Sequence, residues 1–219
     1  MKLWQKNQAP NQKIDHFTVG NDRAYDLHLA SYDCLASIAH AQMLAETGLL
    51  TQKEAGQLTE VLKELEADAQ KGNFIIEDDF EDMHSKIEYV LTEKLGALGK
   101  KIHTARSRND QVLVALHLYL KNEIGLIKGL THDFFELLMD LAKQNQQHLM
   151  PGYTHFQVAM PSSFGLWFSA YAETLIDDVV LLNAAHQLVD QNPLGSAAGY
   201  GSSFPIDRKP LPKVWVLRT

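Results

Sequence analysis

Apolar residues recur along this chain at the three- and four-residue spacing of an α-helix, and no stretch shows the convincing alternation of a β-strand. The longest such pattern covers residues 110–148, which would span on the order of 55 Å at about 1.5 Å per residue. A second long pattern covers residues 161–190, and much of its surface is apolar. Because charged residues such as Lys121 and Glu123 interrupt the first pattern, the two patterns favour a helical bundle over a membrane span.

Three shorter helices are predicted nearer the N-terminus. The first covers residues 22–47 and ends before Gly48, and the third covers residues 79–95. The second opens on a capping box, in which Thr51 occupies the N-cap and Glu54 the third helical position. The chain is therefore predicted to be all-α, without a linker or an internal repeat.

The composition narrows the classes of protein that fit. The 219 residues are 45% hydrophobic, enough to bury a core in one large domain or two small ones. A formal net charge of −7 argues mildly against a nucleic-acid partner, which usually needs a basic face. Cys34 is the single cysteine, so a disulfide framework and a cysteine metal cluster are excluded. The N-terminus lacks the apolar core of a signal peptide, and no apolar run is long enough to span a membrane. These features predict a soluble, cytoplasmic protein with no membrane partner.

The first concentration of polar chemistry is KKIHTARSRNDQ, residues 100–111, immediately before the longest helix. A helix N-terminus presents unpaired N–H groups and a positive dipole end, which favour an anion. Arg106 and Arg108 add guanidinium groups that can bind a carboxylate through two hydrogen bonds. Either Asn109 or Asp110 can cap the helix. The alternative is a solvated, well-capped helix start with two surface arginines.

The second concentration is PGYTHFQ, residues 151–157, between the two long helices. Prolines on both sides are interpreted as helix breakers, so a short polar loop is predicted. It displays four polar side chains: Tyr153, Thr154, His155 and Gln157. An imidazole titrating at about pH 6.5 suits proton transfer at neutral pH, and loops held by rigid helices often display catalytic groups. The alternative for His155 is an ordinary, partly exposed histidine.

Two further polar segments are weaker candidates. In EDDFEDMHSKIE, residues 77–88, Asp82 and His84 do not share a helix face, and a His84–Glu88 pair is usually a surface contact. The other histidines lack ligand spacing, so no metal site is predicted. The Gly- and Ser-rich residues 192–207 lack the phosphate-binding P-loop pattern, and a flexible turn is predicted there.

Three motifs in this order, HTARSRNDQ, MPGYTHFQ and PLGSAAGYGSSFPIDR, resemble those of the argininosuccinate lyases, a family within the aspartase/fumarase superfamily. YDCLASIAHAQML (residues 32–44) and EDMHSKIE (residues 81–88) support the resemblance, which covers residues 2–208. It implies a mostly helical homotetramer built around a long-helix bundle, with each active site assembled from three subunits. The implied domains are a small helical N-terminal domain over residues 1–108 and a partial central bundle domain over residues 109–208.

The resemblance also implies a reaction, the reversible β-elimination of argininosuccinate to arginine and fumarate in arginine biosynthesis, without a cofactor. Removal of a proton beside a carboxylate builds negative charge on two oxygens, which prearranged donors stabilise. His155 would take part in proton transfer, either by assisting departure of the guanidino nitrogen or by polarising the base. Substrate binding is implied for seven residues: Asp82, His84, Ser107, Arg108, Asn109, Thr154 and Gln157.

The chain departs from the family pattern at several places. Gly20 or Asn21 stands where the family has a substrate-contacting serine, and QKNQ replaces a Gly-rich stretch after the initial KLW. The superfamily's later signature loop, which carries the serine thought to be the catalytic base, is absent. This truncated chain is therefore expected to be inactive on its own. Residues 209–219 form an aberrant tail whose codons, read in another frame, can restore the family pattern, so a frameshift near Lys209 is predicted.

Three other interpretations stay open at this point. Another fumarate-releasing lyase of the superfamily, such as adenylosuccinate lyase, is disfavoured by TARSRND. A non-catalytic role similar to that of the δ-crystallins is compatible with the missing loop. The third interpretation is a truncated product without function.

Overall fold

The helical periodicity is confirmed over most of its length in the computed structural model, which describes residues 12–208. The helices of this part of the chain are α1 (Gln12–Val19), α2 (Asp22–Glu46), α3 (Gln52–Gln70), α4 (Met83–Leu95), α5 (Ala97–Lys100), α6 (Arg108–Gln144) and α7 (Phe164–Val189). Two strands, β1 (Leu149–Thr154) and β2 (Gln157–Ser163), form an antiparallel hairpin between the two long helices. The fold is therefore mostly helical, as predicted, with one small sheet among the described residues.

Side-chain caps explain where two of the N-terminal helices begin. At α3 the predicted capping box is present, because the Thr51 hydroxyl accepts from the Glu54 N–H and the Glu54 carboxylate accepts from the Thr51 N–H. α4 begins at Met83, later than predicted. There the Asp82 carboxylate accepts a 2.6 Å hydrogen bond from the Ser85 N–H, which fixes Asp82 at the N-cap.

The chain divides into two compact units. Among the described residues, the first comprises residues 12–119 and 190–208, and the second comprises Leu120–Val189. These units are defined by packing alone, and the domain division predicted after residue 108 stays a prediction. The aberrant tail predicted at residues 209–219 lies outside the described residues.

The core of the first unit lies among α2, α3 and α4. Its largest fully buried apolar side chains are Leu44, Leu58, Leu62, Met83, Leu91 and Ile102. The beginning of α6 packs on α2, where Tyr32 and Tyr119 meet edge to face with ring centroids 5.8 Å apart. This packing sets the N-terminus of α6 beside α2.

Within the first unit, α5 approaches α4 so closely that position 99 has no room for a side chain. A β-carbon on Gly99 would overlap the backbone carbonyl of Leu91 and the amide nitrogen of Thr92. Gly56 is the opposite case, because it lies exposed within α3 and nothing stands within 4 Å of an added β-carbon.

The Gly99→Ala variant should therefore lose about 1–3 kcal/mol of unfolding free energy, the usual cost of overpacking. The Gly56→Ala variant, its matched control, should gain up to about 1 kcal/mol, which is the difference in helix propensity between the two residues. Urea denaturation of both variants and of the wild type gives the three unfolding free energies to be compared. A Gly99→Ala protein as stable as the Gly56→Ala protein would show that α5 moves away from α4 without cost.

The segment predicted as a polar loop is instead a β-hairpin in the second unit. Pro151 and Pro161 lie opposite each other, and the register shifts after Gly152. Prolines are tolerated because each strand of a two-stranded sheet has one edge that faces away from its partner. The prediction that these prolines end the helices is wrong: α6 ends at Gln144 and α7 begins at Phe164, so both helices are shorter than predicted.

In the second unit, α7 and the part of α6 after Tyr119 leave many large apolar side chains exposed. Those on α6 are Leu126, Ile127, Leu130, Phe134 and Leu137, and those on α7 include Leu166, Trp167, Tyr171, Ile176, Val180, Leu181 and Leu188. The exposed fraction among them reaches 70% at Leu181. Within residues 12–208, no helix combines the length and apolar character needed to cross a bilayer.

Candidate functional site

The residue that caps α6 is Ser107, rather than the predicted Asn109 or Asp110. The Ser107 hydroxyl accepts a 3.3 Å hydrogen bond from the Asn109 N–H. In return, the Asp110 carboxylate accepts a 2.9 Å hydrogen bond from the Ser107 N–H. This reciprocal pair is a variant of the capping box, in which the hydroxyl accepts from the second helical N–H and aspartate replaces glutamate at the third helical position. The Asn109 side chain is left exposed at the start of the helix.

Asp110 also ties the Gly- and Ser-rich segment to the start of α6. Its second carboxylate oxygen accepts hydrogen bonds from the N–H groups of Gly195 at 3.1 Å and Ala197 at 2.8 Å. Both residues have left-handed φ angles, 95° and 49°, and turns of this kind direct successive N–H groups toward one anion. Here the anion is the protein's own, fully buried Asp110 carboxylate. The segment predicted as a flexible turn is thus anchored at these residues.

Arg108 is the first residue of α6, and about a quarter of its side chain is exposed (26%). Its Nη2 donates a 3.1 Å hydrogen bond to the Ser85 hydroxyl and lies 3.7 Å from the Glu88 carboxylate. Its Nε lies 3.8 Å from the Asp82 carboxylate. Both distances are longer than a charge-assisted hydrogen bond. The two carboxylates therefore attract the guanidinium without occupying its N–H donors, which can still bind a further anion.

A buried polar cluster adjoins Arg108 through Gln111. Asp33, on α2, is fully buried, and both of its carboxylate oxygens accept hydrogen bonds from Gln111 Nε2, at 3.0 and 3.1 Å. His84 Nδ1 lies 3.0 Å from the same carboxylate. Burial opposes ionisation of Asp33. The attraction to His84 and Arg106 and the hydrogen bond from Gln111 outweigh burial and lower the pKa of the Asp33 carboxyl.

Two more buried side chains of α2 hold the segment that precedes α6. Arg106 Nη1 donates a 2.9 Å hydrogen bond to the Ser37 hydroxyl, and His40 Nε2 donates a 2.9 Å hydrogen bond to the Thr104 carbonyl. Burial, together with the charge of Arg106, lowers the pKa of His40 to about 3. The His40 imidazole is therefore neutral at neutral pH.

The depressed pKa of His40 predicts a loss of stability in mild acid. Because the unfolded chain takes up a proton near its ordinary pKa while the folded chain resists it, this share of stability is present above about pH 6.5 and declines as the pH falls toward 3. Between about pH 7.5 and pH 5 the loss should be on the order of 2 kcal/mol. Burial lowers the pKa of His103 as well, which adds a loss of the same sign.

The His40→Gln variant should lose the part of this pH dependence that His40 contributes, because the amide can still donate to the Thr104 carbonyl but does not titrate. Urea denaturation across this pH range gives the measurement. His28→Gln, on an exposed part of α2, is the control and should keep the wild-type profile. If wild type and His40→Gln decline in parallel, the acid sensitivity has another source.

The second predicted segment lies at the tip of the hairpin. His155 and Phe156 form its two-residue turn, with φ angles of 48° and 62°. Positive φ at both central positions is what a type I′ turn requires. Thr154 and Gln157 pair with each other at the ends of the two strands, and all four residues are exposed. The hairpin thus displays Thr154, His155 and Gln157 together.

The eight residues implied by the resemblance are divided between the two units. Asp82, His84, Ser107, Arg108 and Asn109 lie in the first unit, and Thr154, His155 and Gln157 lie in the second. Within the first unit, Asp82 adjoins Arg108, whereas His84 contacts the buried Asp33. The functional roles of all eight stay predictions. No group of three His, Cys, Asp or Glu side chains in residues 12–208 is arranged to hold a metal ion.

Sequence reasoning missed Asp33, Ser85 and Gln111. Asp33 and Gln111 are 78 positions apart, so no local spacing rule joins them. The signal in the sequence is that Asp33 falls on the apolar face of the helix predicted over residues 22–47, four positions after Leu29 and three before Ala36. Such a residue either faces solvent or needs a buried partner.

Comparison with characterised proteins identifies relatives along nearly the whole chain. The argininosuccinate lyase of Phocaeicola vulgatus is 55% identical over 208 residues, covering 95% of this chain and 47% of the relative. The argininosuccinate lyase of Bacteroides fragilis is 52% identical over 207 residues, covering 94% of this chain and 46% of the relative. These relatives confirm the resemblance drawn from the motifs. The chain spans about half the length of the curated relatives it matches.

Solved structures confirm the fold. An EDDS lyase variant with bound fumarate matches with a TM-score of 0.75 at 23% identity, covering 93% of this chain and 40% of that one. A fumarate lyase:delta crystallin from Brucella melitensis, bound to cobalt, matches with a TM-score of 0.68 at 17% identity, covering 89% and 47%. The family described as "Lyase" matches residues 8–215. Since that match takes in nearly all of the sequence, the chain belongs to this lyase family.

Proposed function

We propose that this chain carries substrate-binding and proton-transfer residues of an argininosuccinate lyase, which cleaves argininosuccinate reversibly to arginine and fumarate. The observation that carries the proposal is the Arg108 guanidinium. It stands at the N-terminus of a 37-residue helix, partly exposed and only loosely engaged by Asp82 and Glu88. Helix dipole and guanidinium both favour a carboxylate at this place.

The reaction explains why such donors are needed. A base takes a proton from the carbon next to a carboxylate, and the electron pair of that C–H bond moves into the carboxylate. The pair then returns to form the double bond of fumarate, while the bond to the guanidino nitrogen breaks and the nitrogen leaves with its electrons. The intermediate carries two negative oxygens where the substrate carries one charge. Ser107, Arg108 and Asn109 would donate to these oxygens, and donors that are already in place stabilise the developing charge without reorganisation.

His155 would complete the reaction by giving a proton to the departing nitrogen or by polarising the base. We assign Thr154 and Gln157 to the substrate beside it, and Asp82 and His84 to the succinyl or arginine end. The pairing of Thr154 with Gln157 across the hairpin supports a common task for the tip.

We further propose that the active enzyme is a cytoplasmic homotetramer in which several copies contribute to each site. Two observations support assembly. The hairpin tip with His155 is exposed, and the apolar side chains of α6 and α7 need other helices to cover them. Argininosuccinate is favoured over adenylosuccinate as the substrate because relatives at 44–55% identity are argininosuccinate lyases.

The test is a fumarate absorbance assay on two samples purified from a host without its own argininosuccinate lyase. One is the 219-residue chain. The other is a chimaera of residues 1–208 with the remaining length of the Phocaeicola vulgatus relative, which is needed because the chain spans about half of that relative. The chimaera should release fumarate and arginine in equal amounts from argininosuccinate and nothing from adenylosuccinate. A chimaera that assembles by light scattering but does not cleave argininosuccinate would refute the proposal.

A further inference from the structure

A buried carboxylate stands behind the Arg108 guanidinium, joined to it by one amide side chain. Arg108 Nη1 donates a 3.4 Å hydrogen bond to Gln111 Oε1, and Gln111 Nε2 donates to both oxygens of Asp33. Asp33 is fully buried and Gln111 is 2% exposed. The three residues form a chain of hydrogen bonds from α2 to the start of α6, called the positioning relay below. Its Asp33 end is fully buried and therefore out of contact with bulk water.

The charge of Asp33 decides which way the Gln111 amide points. A carboxylate only accepts hydrogen bonds and a guanidinium only donates them, whereas an amide has one donating and one accepting end. With Asp33 ionised, the amide must turn its NH₂ to Asp33 and its oxygen to Arg108. The opposite orientation would set oxygen against carboxylate and NH₂ against guanidinium, and both contacts are repulsive at low dielectric.

The contacts around Asp33 favour the ionised form. His84 Nδ1 lies 3.0 Å from its carboxylate, and the buried Arg106 guanidinium is a nearby cation. Removing the Asp33 charge would therefore free the Gln111 amide to rotate and leave one edge of the Arg108 guanidinium without a fixed acceptor. The remaining partners of Arg108 are the Ser85 hydroxyl and two carboxylates at 3.7 and 3.8 Å, which do not fix its plane.

We propose that Asp33 is the positioning residue of the Arg108 anion site: it orients the Gln111 amide, and that amide sets the plane of the guanidinium that receives a substrate or product carboxylate. The identity of the anion rests on the proposed function. The positioning relay itself does not.

The first experiment measures order at one guanidinium. In the ¹⁵N-labelled 219-residue chain, the heteronuclear NOE of each arginine Nε–H reports its mobility, with Arg108 and Arg23 assigned through their lysine variants. Asp33→Asn should lower the NOE of Arg108 toward that of a free side chain. Arg23 is the matched control, because its Nε donates to the Phe80 carbonyl at 2.8 Å, and its NOE should not change. An unchanged Arg108 beside an unchanged Arg23 would overturn the proposal.

The second experiment titrates fumarate and follows the Arg108 Nε–H shift. Asp33→Asn should weaken fumarate binding about tenfold, the size expected for one hydrogen bond to a charged group. If fumarate does not shift the Arg108 Nε–H signal of the wild-type chain, the anion named under the proposed function is wrong. The NOE comparison still tests whether Asp33 positions Arg108.

A double variant separates positioning from packing, and it serves equally if Asp33→Asn alone unfolds. Asp33→Asn with Gln111→Glu keeps one carboxylate and one amide in the cluster but exchanges their places. The Arg108 NOE should recover, because the carboxylate introduced at position 111 would hold the guanidinium. Fumarate should still bind about tenfold more weakly, because that carboxylate competes with it. Recovery of full fumarate affinity would show a purely structural pair and overturn the proposal.

Discussion

Replacing His155 with asparagine should lower the rate of fumarate release by the chimaera about 10²–10⁴-fold, the range typical of losing a general acid–base group. Asparagine suits the test because it tolerates the left-handed turn at the hairpin tip but cannot transfer a proton. KM should change less than kcat, since the lost interaction acts mainly in the transition state. Steady-state kinetics with argininosuccinate give both constants.

The control for this variant is His148→Asn, which removes an exposed imidazole just before β1. His148 contacts the Asn145 side chain and is not part of the hairpin. It should leave turnover close to that of the parent. A His155→Asn enzyme that keeps more than about a third of the parental kcat would exclude His155 from proton transfer, because general acid–base groups contribute far more than this.

Replacing Arg108 with alanine should lower kcat/KM about 10²–10³-fold, comparable to the loss of a donor that faces a developing oxyanion. Arg108→Lys keeps the positive charge but loses the planar fork, so it should recover only part of the activity. The lysine ammonium also cannot reach Ser85 and Gln111 with the geometry of the guanidinium. Steady-state kinetics of the two variants separate the effect of the positive charge from that of the planar guanidinium. Thermal unfolding of both variants shows whether either change also destabilises the fold.

Lys94→Gln serves as the charge control for Arg108. It removes one cation from the end of α4, where Lys94 pairs with Glu64 on the surface, and should leave kcat/KM unchanged. An Arg108→Lys enzyme with parental kcat/KM would mean that net charge alone matters at the start of α6. The bidentate recognition proposed for Arg108 would then be wrong.

Those features of the fold that depend on neighbours in the sequence could be predicted. The capping box of Thr51 and Glu54 is one example, because all its atoms belong to residues three positions apart. The presence and order of α6 and α7 follow from the periodicity of the sequence, although the residues at which they begin and end do not. At α6 the sequence predicts a cap at Asn109 or Asp110, whereas the structure has Ser107 as the cap. Asp110 is instead the third helical residue, and its carboxylate accepts from the Ser107 N–H.

The hairpin could not be predicted by the usual rules. Two-residue turns are recognised by Asn-Gly or Asp-Gly, and here the turn is His155–Phe156. The sequence analysis interprets Pro151 and Pro161 as helix breakers beside a loop, whereas in the structure they lie opposite each other in the sheet. In a two-stranded sheet the rule that excludes proline from strands loses its force, because every strand is an edge strand.

The exposed residues of the candidate site could be predicted together with the buried His84, but the buried partners Asp33 and Gln111 could not. Arg108 and His155 were identified from motifs, whereas the buried acceptor behind Arg108 was not. Asp33 reaches the site through a tertiary contact between α2 and α6 that no spacing rule encodes. Its role depends on which residues surround it, and that information exists only once the helices have packed.

The left-handed backbone at the hairpin tip favours a small set of residue types at position 155. Most L-residues pay roughly 1–2 kcal/mol for this backbone conformation, and asparagine, aspartate and histidine are the non-glycine residues found there most often. Among these three, only histidine titrates near neutral pH. A lysine, tyrosine or glutamate at this position would carry that conformational cost, as Phe156 does at the next position with a φ of 62°. The backbone conformation of the hairpin tip and the proton-transfer role that we propose for His155 therefore depend on the same side chain.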